Sequence, residues 1–145
     1  MLFLKKIREN CSYVSLIQRK KNIAFSEEDF RFILGLEKER ADRGNHQFSL
    51  IVFDKKQYEA ENGAAQYLID NIIERVRDID IVGWQGSDRI CVILPYTPTE
   101  GAKQLVGHIC DALNSAIPES GYSVYTYSAE AVYSDANSID LFSSG

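Results

Sequence analysis

Residues 80–95 read Asp-Ile-Val-Gly-Trp-Gln-Gly-Ser-Asp-Arg-Ile-Cys-Val-Ile-Leu-Pro, and no other stretch restricts the fold as much. Ile79, Ile81 and Val82 form one apolar run; Ile90 to Leu94 form the next. Between them Gln85-Gly86-Ser87-Asp88 carries turn chemistry. Gly reaches positive φ at no steric cost, and Ser and Asp side chains hydrogen-bond to nearby backbone. The pattern predicts strand, tight turn, strand, paired antiparallel. The turn aims Asp88 outward, beside the end of the neighbouring strand. Two carboxylates meeting there would suit a metal. Arg89 stands next to Asp88, however, and a permanent cation opposes a metal-phosphate site.

The flanking segments supply the rest of the fold. Ser26-Glu-Glu-Asp is an N-cap followed by acids in the first helical turn, where the helix dipole favours them. Phe30, Ile33 and Leu34, with Phe32 and Leu36, form the buried stripe; Lys38, Arg40 and Arg43 load the far end and Gly44 is the expected stop. Phe48 to Phe53 is apolar except for Ser49, as in a central strand buried on both faces. After Asn62-Gly63, Leu68, Ile69, Ile72, Ile73 and Val76 recur at helical spacing, giving a helix ending near Arg77. Beyond the hairpin, Thr97-Pro98-Thr99-Glu100 starts a third helix with Ala102, Leu105, Ile109 and Leu113 as its stripe. Tyr122 to Tyr133 alternates as one long strand. Residues 1–25 are expected to form an N-terminal helical extension, and residues 26–145 the main domain. The order is β-α-β-β-α-β after a leading helix: an α+β fold with a ferredoxin-like antiparallel sheet and helices packed on it. That topology centres the first strand and brings Asp54 towards Asp88.

With 145 residues, the chain fits a single domain with a substantial core. A net charge of −5 argues against a general nucleic-acid binder. Basic residues do gather at Lys5, Lys6, Arg8 and at Arg19, Lys20, Lys21, read as a solvated face. Met1-Leu-Phe-Leu4 is too short for a spanning helix or a signal core, so no transmembrane segment is expected. Cys11, Cys91 and Cys110 have no metal-ligand spacing, and an odd count without a framework suits a reducing cytoplasm. His46 and His108 are read as surface residues.

From Ser26 to about Tyr133 the chain resembles the GGDEF domain of bacterial diguanylate cyclases, in a degenerate form. Phe48-Ser-Leu-Ile-Val-Phe-Asp54 resembles the first strand, which ends in a metal-binding Asp. Asp80-Ile-Val-Gly-Trp-Gln85 resembles the strand entering the signature, and Gly86-Ser-Asp-Arg-Ile90 stands where Gly-Gly-Asp-Glu-Phe would be. Val92-Ile-Leu-Pro95 and Glu100-Gly-Ala102 resemble the strand and the helix start after the signature. The resemblance implies synthesis of cyclic di-GMP from two GTP molecules held with magnesium. It makes Asp54 and Asp88 the metal carboxylates, a vestigial pair here. Each also has a purely structural reading, Asp54 as a strand end and Asp88 as a turn residue.

Several departures bear on activity. Ser87 replaces the second Gly, Arg89 the acidic position, and Lys56 the second Asp after the first strand, with Lys55 before it. The guanine-reading Asn and Asp have no counterpart between Lys56 and Leu68. Trp84 stands where a basic residue is common. At an effective dielectric near 20, a cation about 4 Å from a carboxylate is worth roughly 4 kcal/mol before desolvation. Arg89 and the lysines are therefore expected to satisfy the aspartates without magnesium. Arg77-Asp-Ile-Asp80 has the RxxD form of the family's inhibitory site, which implies cyclic di-GMP binding through Arg77 and Asp80. Its structural reading is a helix-closing Arg paired with Asp80 on the surface. The third helix offers only Lys103, Gln104 and His108 as helpers.

The expected function is a catalytically inactive regulatory or interaction domain in bacterial signalling. It has no resident cofactor, and its partners are cyclic di-GMP, a second copy or another protein. The tyrosines 122, 125, 127 and 133 belong to sheet packing or to such an interface. The alternative is an active nucleotidyl cyclase with atypical metal ligands.

Overall fold

The computed structural model describes residues 24–54, 64–113, 121–130 and 132–134. Residues 1–23 of the N-terminal extension, Lys55, Lys56, Asn62-Gly63 and residues 135–145 lie outside the described residues, while Ala24 and Phe25 are not helical. Among the described residues three helices and five strands follow in chain order as α1 (Glu27–Gly44), β1 (Phe48–Asp54), α2 (Ala64–Arg75), β2 (Ile81–Gln85), β3 (Arg89–Pro95), α3 (Thr99–Ala112), β4 (Tyr122–Tyr127) and β5 (Val132–Ser134).

The strands form one sheet in the order β2-β3-β1-β4-β5, every neighbouring pair antiparallel. β1 is central and all but its last residue are buried, as its unbroken apolar run requires. Side chains of successive strand residues point to opposite faces. Phe48, Leu50, Val52, Cys91, Ile93 and Tyr125 accordingly pack towards α1, against Phe30, Ile33, Leu34 and Ala41. Ile51, Phe53, Ile90, Val92, Leu94 and Val124 face the other way. There they meet Leu68, Ile69, Ile72 and Ile73 of α2, and Ala102, Val106 and Ile109 of α3.

Local chemistry explains the ends. Ser26 caps α1, its Oγ accepting from the Asp29 amide at 3.2 Å. The stop falls one residue later than expected: Asn45, not Gly44, takes the left-handed conformation, with φ of 52°. Gly44 stays helical, and its missing Cβ serves another purpose, since a Cβ there would lie 2.8 Å from His46 Nδ1.

The predicted long last strand is two strands. Tyr127 pairs with Phe48, the first residue of β1, so beyond it the central strand offers no partner. The chain turns at Ser128–Glu130 and returns as β5, pairing Val132 with Tyr127. The tyrosines of β4 belong to packing: Tyr125 is fully buried, and Tyr122 and Tyr127 pack on opposite core layers. Tyr127 Oη also donates to Asp42 Oδ1 at 2.9 Å, tying β4 to α1. In α3 the stripe includes Val106, which is buried, while Leu105 and Leu113 are only partly so.

The free edge of β2 is joined by Phe25. Its amide donates to the Val82 carbonyl at 3.0 Å, and its carbonyl accepts from the Trp84 amide at 2.9 Å. The entry to α1 is thereby fixed to the hairpin.

Candidate functional site

β1 has seven residues, so at roughly 3.3 Å per residue its two ends lie about 20 Å apart. The residues singled out by sequence divide between these ends.

At the turn end, Gly86 adopts φ of 66° and residues 86–88 are exposed, as the turn chemistry predicts. Ser87 Oγ donates to Asp88 Oδ1 at 2.9 Å. Antiparallel pairing of β1 with β3 brings Asp54 to this end, beside the turn. Its register partner is Arg89, which in turn pairs with Gln85 across the hairpin. Alternation puts Asp54, Arg89 and Gln85 on the α1 side of the sheet, in one row across three strands. Arg89 is close enough to Cys91 to act on its thiol electrostatically. Burial dominates there and pushes the thiol up to about 12 despite the neighbouring guanidinium. Cys91 is thus an inert core residue, as its place in the apolar run implies. Among the described residues no group of three or more His, Cys, Asp and Glu could hold a metal ion.

At the opposite end, Arg77 and Asp80 enclose a tight turn. The Asp80 amide donates to the Arg77 carbonyl at 3.0 Å, and the Arg77 amide donates to Asp80 Oδ2 at 2.7 Å. The guanidinium then closes the ring: Nε donates to both carboxylate oxygens at 3.2 Å and Nη2 to Oδ1 at 2.9 Å. The pair is formed as its structural reading holds, but not on the surface. The Asp80 side chain is only 2% exposed and that of Arg77 is 52% exposed. Arg77 Nη2 also donates to the Pro95 carbonyl at 2.9 Å and Thr97 Oγ1 at 2.8 Å. It thereby ties the end of α2 to the end of β3.

From Thr97 a set of hydroxyls continues inward. Thr97 Oγ1 donates to the Pro95 carbonyl, and the Thr97 carbonyl accepts from Ser49 Oγ at 2.7 Å. Ser49 and Thr126 hydroxyls are 2.9 Å apart, and Thr126 and Thr99 hydroxyls 2.7 Å. Ser49, the one polar residue inside the apolar run of β1, is buried because these partners satisfy it. Sequence reasoning did not find this network. Its members are separated by up to 77 positions, and Ser and Thr carry no periodic signal.

The two histidines part company. His108 is exposed on α3, as expected. His46 is not a surface residue: its side chain is 13% exposed, with Nε2 3.5 Å from the buried Glu37 carboxylate. Burial pushes the Glu37 carboxyl up, partly offset by Arg40 and His46.

No protein-family model and no curated protein sequence matches the chain. Solved structures do. The active GGEEF domain of a diguanylate cyclase from Vibrio cholerae superposes with a TM-score of 0.62 at 14% identity, covering 75% of this chain and 80% of that one. A DGC protein from Thermotoga maritima gives 0.57 at 19% identity, covering 72% and 81%. The GGDEF domain of DgcB from Caulobacter crescentus, in complex with c-di-GMP, gives 0.57 at 12% identity, covering 74% and 75%. The chain therefore has the fold of diguanylate cyclase GGDEF domains.

Proposed function

We propose that this domain recognises nucleotides without converting them: a GGDEF-like regulatory domain of bacterial signalling, with no cyclase turnover and with cyclic di-GMP as the ligand of Arg77. The observation that carries the first half is the strand register, which sets Asp54 directly opposite Arg89. Magnesium needs hard anionic oxygens and a place for substrate phosphates. A guanidinium one strand away on the same face supplies neither, and its charge would oppose a cation beside Asp54. On this reading the described residues at the turn end do not fit a magnesium-triphosphate site, and no catalytic role is assigned to Asp54 or Asp88.

The second half rests on Arg77. Its guanidinium is half exposed and held in a fixed orientation by Asp80, Pro95 and Thr97. With Nε and Nη2 engaged by those partners, Nη1 is the group that would reach a phosphate oxygen, in a charge-assisted hydrogen bond. Asp80 has a different role from the one its motif implies. With its carboxylate buried and engaged by Arg77, it positions the guanidinium and does not grip guanine. In support, the structurally similar DgcB domain is described with c-di-GMP bound. The interaction partner, whether a second copy or another protein, belongs to the same reading.

Calorimetric titration with cyclic di-GMP, and product analysis after incubation with GTP and magnesium or manganese, test the two halves. Saturable heat that disappears in Arg77→Ala and no cyclic product are expected. Absence of heat at high ligand concentration ends the receptor reading. Turnover that is lost in Asp54→Asn ends the inactive one and makes the chain an atypical cyclase.

A further inference from the structure

Where β1 begins and β3 and β4 finish, a cavity of about 370 Å³ opens between Asn45, His46, Gln47, Tyr96, Ser128 and Glu130. It lies at the Arg77 end of the sheet but is lined by none of the Arg77 network. Three features separate it from an ordinary surface dent.

Tyr96 comes directly after β3 with φ of 58°, a conformation that a bulky non-glycine residue adopts at a steric cost. Among the described residues, Asn45 and Tyr96 are the non-glycine residues at positive φ, and both line this cavity. Asn45 is explained as a helix cap; Tyr96 has no such role. Its amide is held by the Gln47 carbonyl at 2.9 Å, which fixes the unusual backbone.

That backbone presents the ring. Tyr96 is 58% exposed, the most of any large apolar side chain described, yet it is not loose. Its ring stacks on His46 with centroids 4.1 Å apart and planes 26° apart. His46 is itself backed by the buried Glu37 carboxylate and fits only because Gly44 lacks a Cβ. A rigid aromatic shelf therefore faces the cavity, and an acid and two carboxamides stand around it.

We propose that this cavity is a binding site for a neutral planar purine, stacked on the Tyr96–His46 shelf and read by the Glu130 carboxylate. Stacking on an aromatic platform suits any planar heterocycle. The lining selects among them. Among the described residues it holds no Lys or Arg and one carboxylate, which disfavours phosphate and favours a ring edge rich in N–H donors. Guanine offers two adjacent donors of that kind and is the preferred base. The inference goes beyond the Arg77 reading and does not depend on it: one site takes phosphate, the other an uncharged ring.

Guanosine is the probe, with binding monitored by proton NMR of the Tyr96 and His46 rings. Saturable upfield shifts of both are expected. Tyr96→Phe keeps the ring and should bind like the wild type. Tyr96→Gly removes the ring at a position where glycine is the better-suited residue, so the fold, checked by circular dichroism, is retained while affinity drops about tenfold or more. Arg77→Ala should leave guanosine affinity unchanged. The absence of saturable shifts at millimolar guanosine overturns the proposal. So does unchanged binding in a folded Tyr96→Gly variant, or loss of binding in a folded Arg77→Ala variant. Guanosine binding without cyclic di-GMP binding would leave this site standing and remove only the Arg77 reading.

Discussion

Asp80 is the residue whose environment differs most from its sequence-level reading. RxxD on a helix end suggests two surface charges, each open to a ligand. In the folded chain the carboxylate is buried, and the Arg77 amide and guanidinium converge on it. Hydrogen bonds to a buried charge are worth more than neutral ones, and orphaning them costs the desolvation of the remaining group. Asp80→Ala should therefore destabilise the domain by about 2 kcal/mol in urea unfolding. Asp80→Asn, which keeps an acceptor for the Arg77 amide, should cost less. Glu37 has the opposite balance. Its carboxyl is raised above the usual 4.5 chiefly by burial, so the folded state holds this proton more tightly than the unfolded state. The favourable contribution is present below pH 4.5 and is lost as pH rises through the folded-state value. Glu37→Gln should thus raise the melting temperature at neutral pH, with the gain shrinking towards acid. Melting curves from pH 4 to pH 8 check this; a gain that grows towards acid would reverse the sign assigned to the group.

Elements were legible where their signal is local. The α2 stripe of Leu68, Ile69, Ile72, Ile73 and Val76 is buried as its periodicity requires, and the α1 N-cap is where Ser26 and its acids put it. Boundaries that depend on distant partners were not. The split of β4 from β5 arises from the place where β1 begins, which nothing between Tyr122 and Tyr133 announces. His46 is partly covered by Tyr96 and Glu37, and that cover cannot be read from its neighbours in sequence. Gly83 is another such case. Inside β2 it reads as a mild weakness, but a Cβ there would lie 2.2 Å from Phe30 Cδ1 of α1. The bare backbone lets the helix seat on the hairpin. Gly83→Ala should cost about 3 kcal/mol, at the upper end of overpacking effects. Combined with Phe30→Ala, the cost of adding that methyl should fall but not vanish, because the ring atoms at 2.2 and 2.6 Å are gone while the Cβ at 2.7 Å remains. A double-mutant cycle in urea would measure this coupling. Additive costs would mean that α1 does not rest on Gly83.

At the scale of the molecule, one sheet carries two differently furnished ends. The turn end keeps the outline of a metal-dependent hairpin: Gly86 at positive φ, Asp88 exposed, and Asp54 delivered beside them by the central strand. Sequence reasoning anticipated that outline, since topology alone brings Asp54 there. It also anticipated Arg89 as the residue that alters the chemistry, and the register makes Arg89 the direct neighbour of Asp54. The far end holds the Arg77 clamp, the hydroxyl network and the Tyr96 shelf, of which only Arg77 and Asp80 were marked in the sequence. Manganese is the natural probe of the central claim, because it occupies oxygen sites like those of magnesium and is visible by electron paramagnetic resonance. Titration of the full chain with manganese and GTP is predicted to reveal no saturable ion bound through Asp54, with or without an Asp54→Asn substitution, whereas Arg89→Glu should gain such a site. A saturable manganese site in the unaltered chain that disappears in Asp54→Asn would contradict the account.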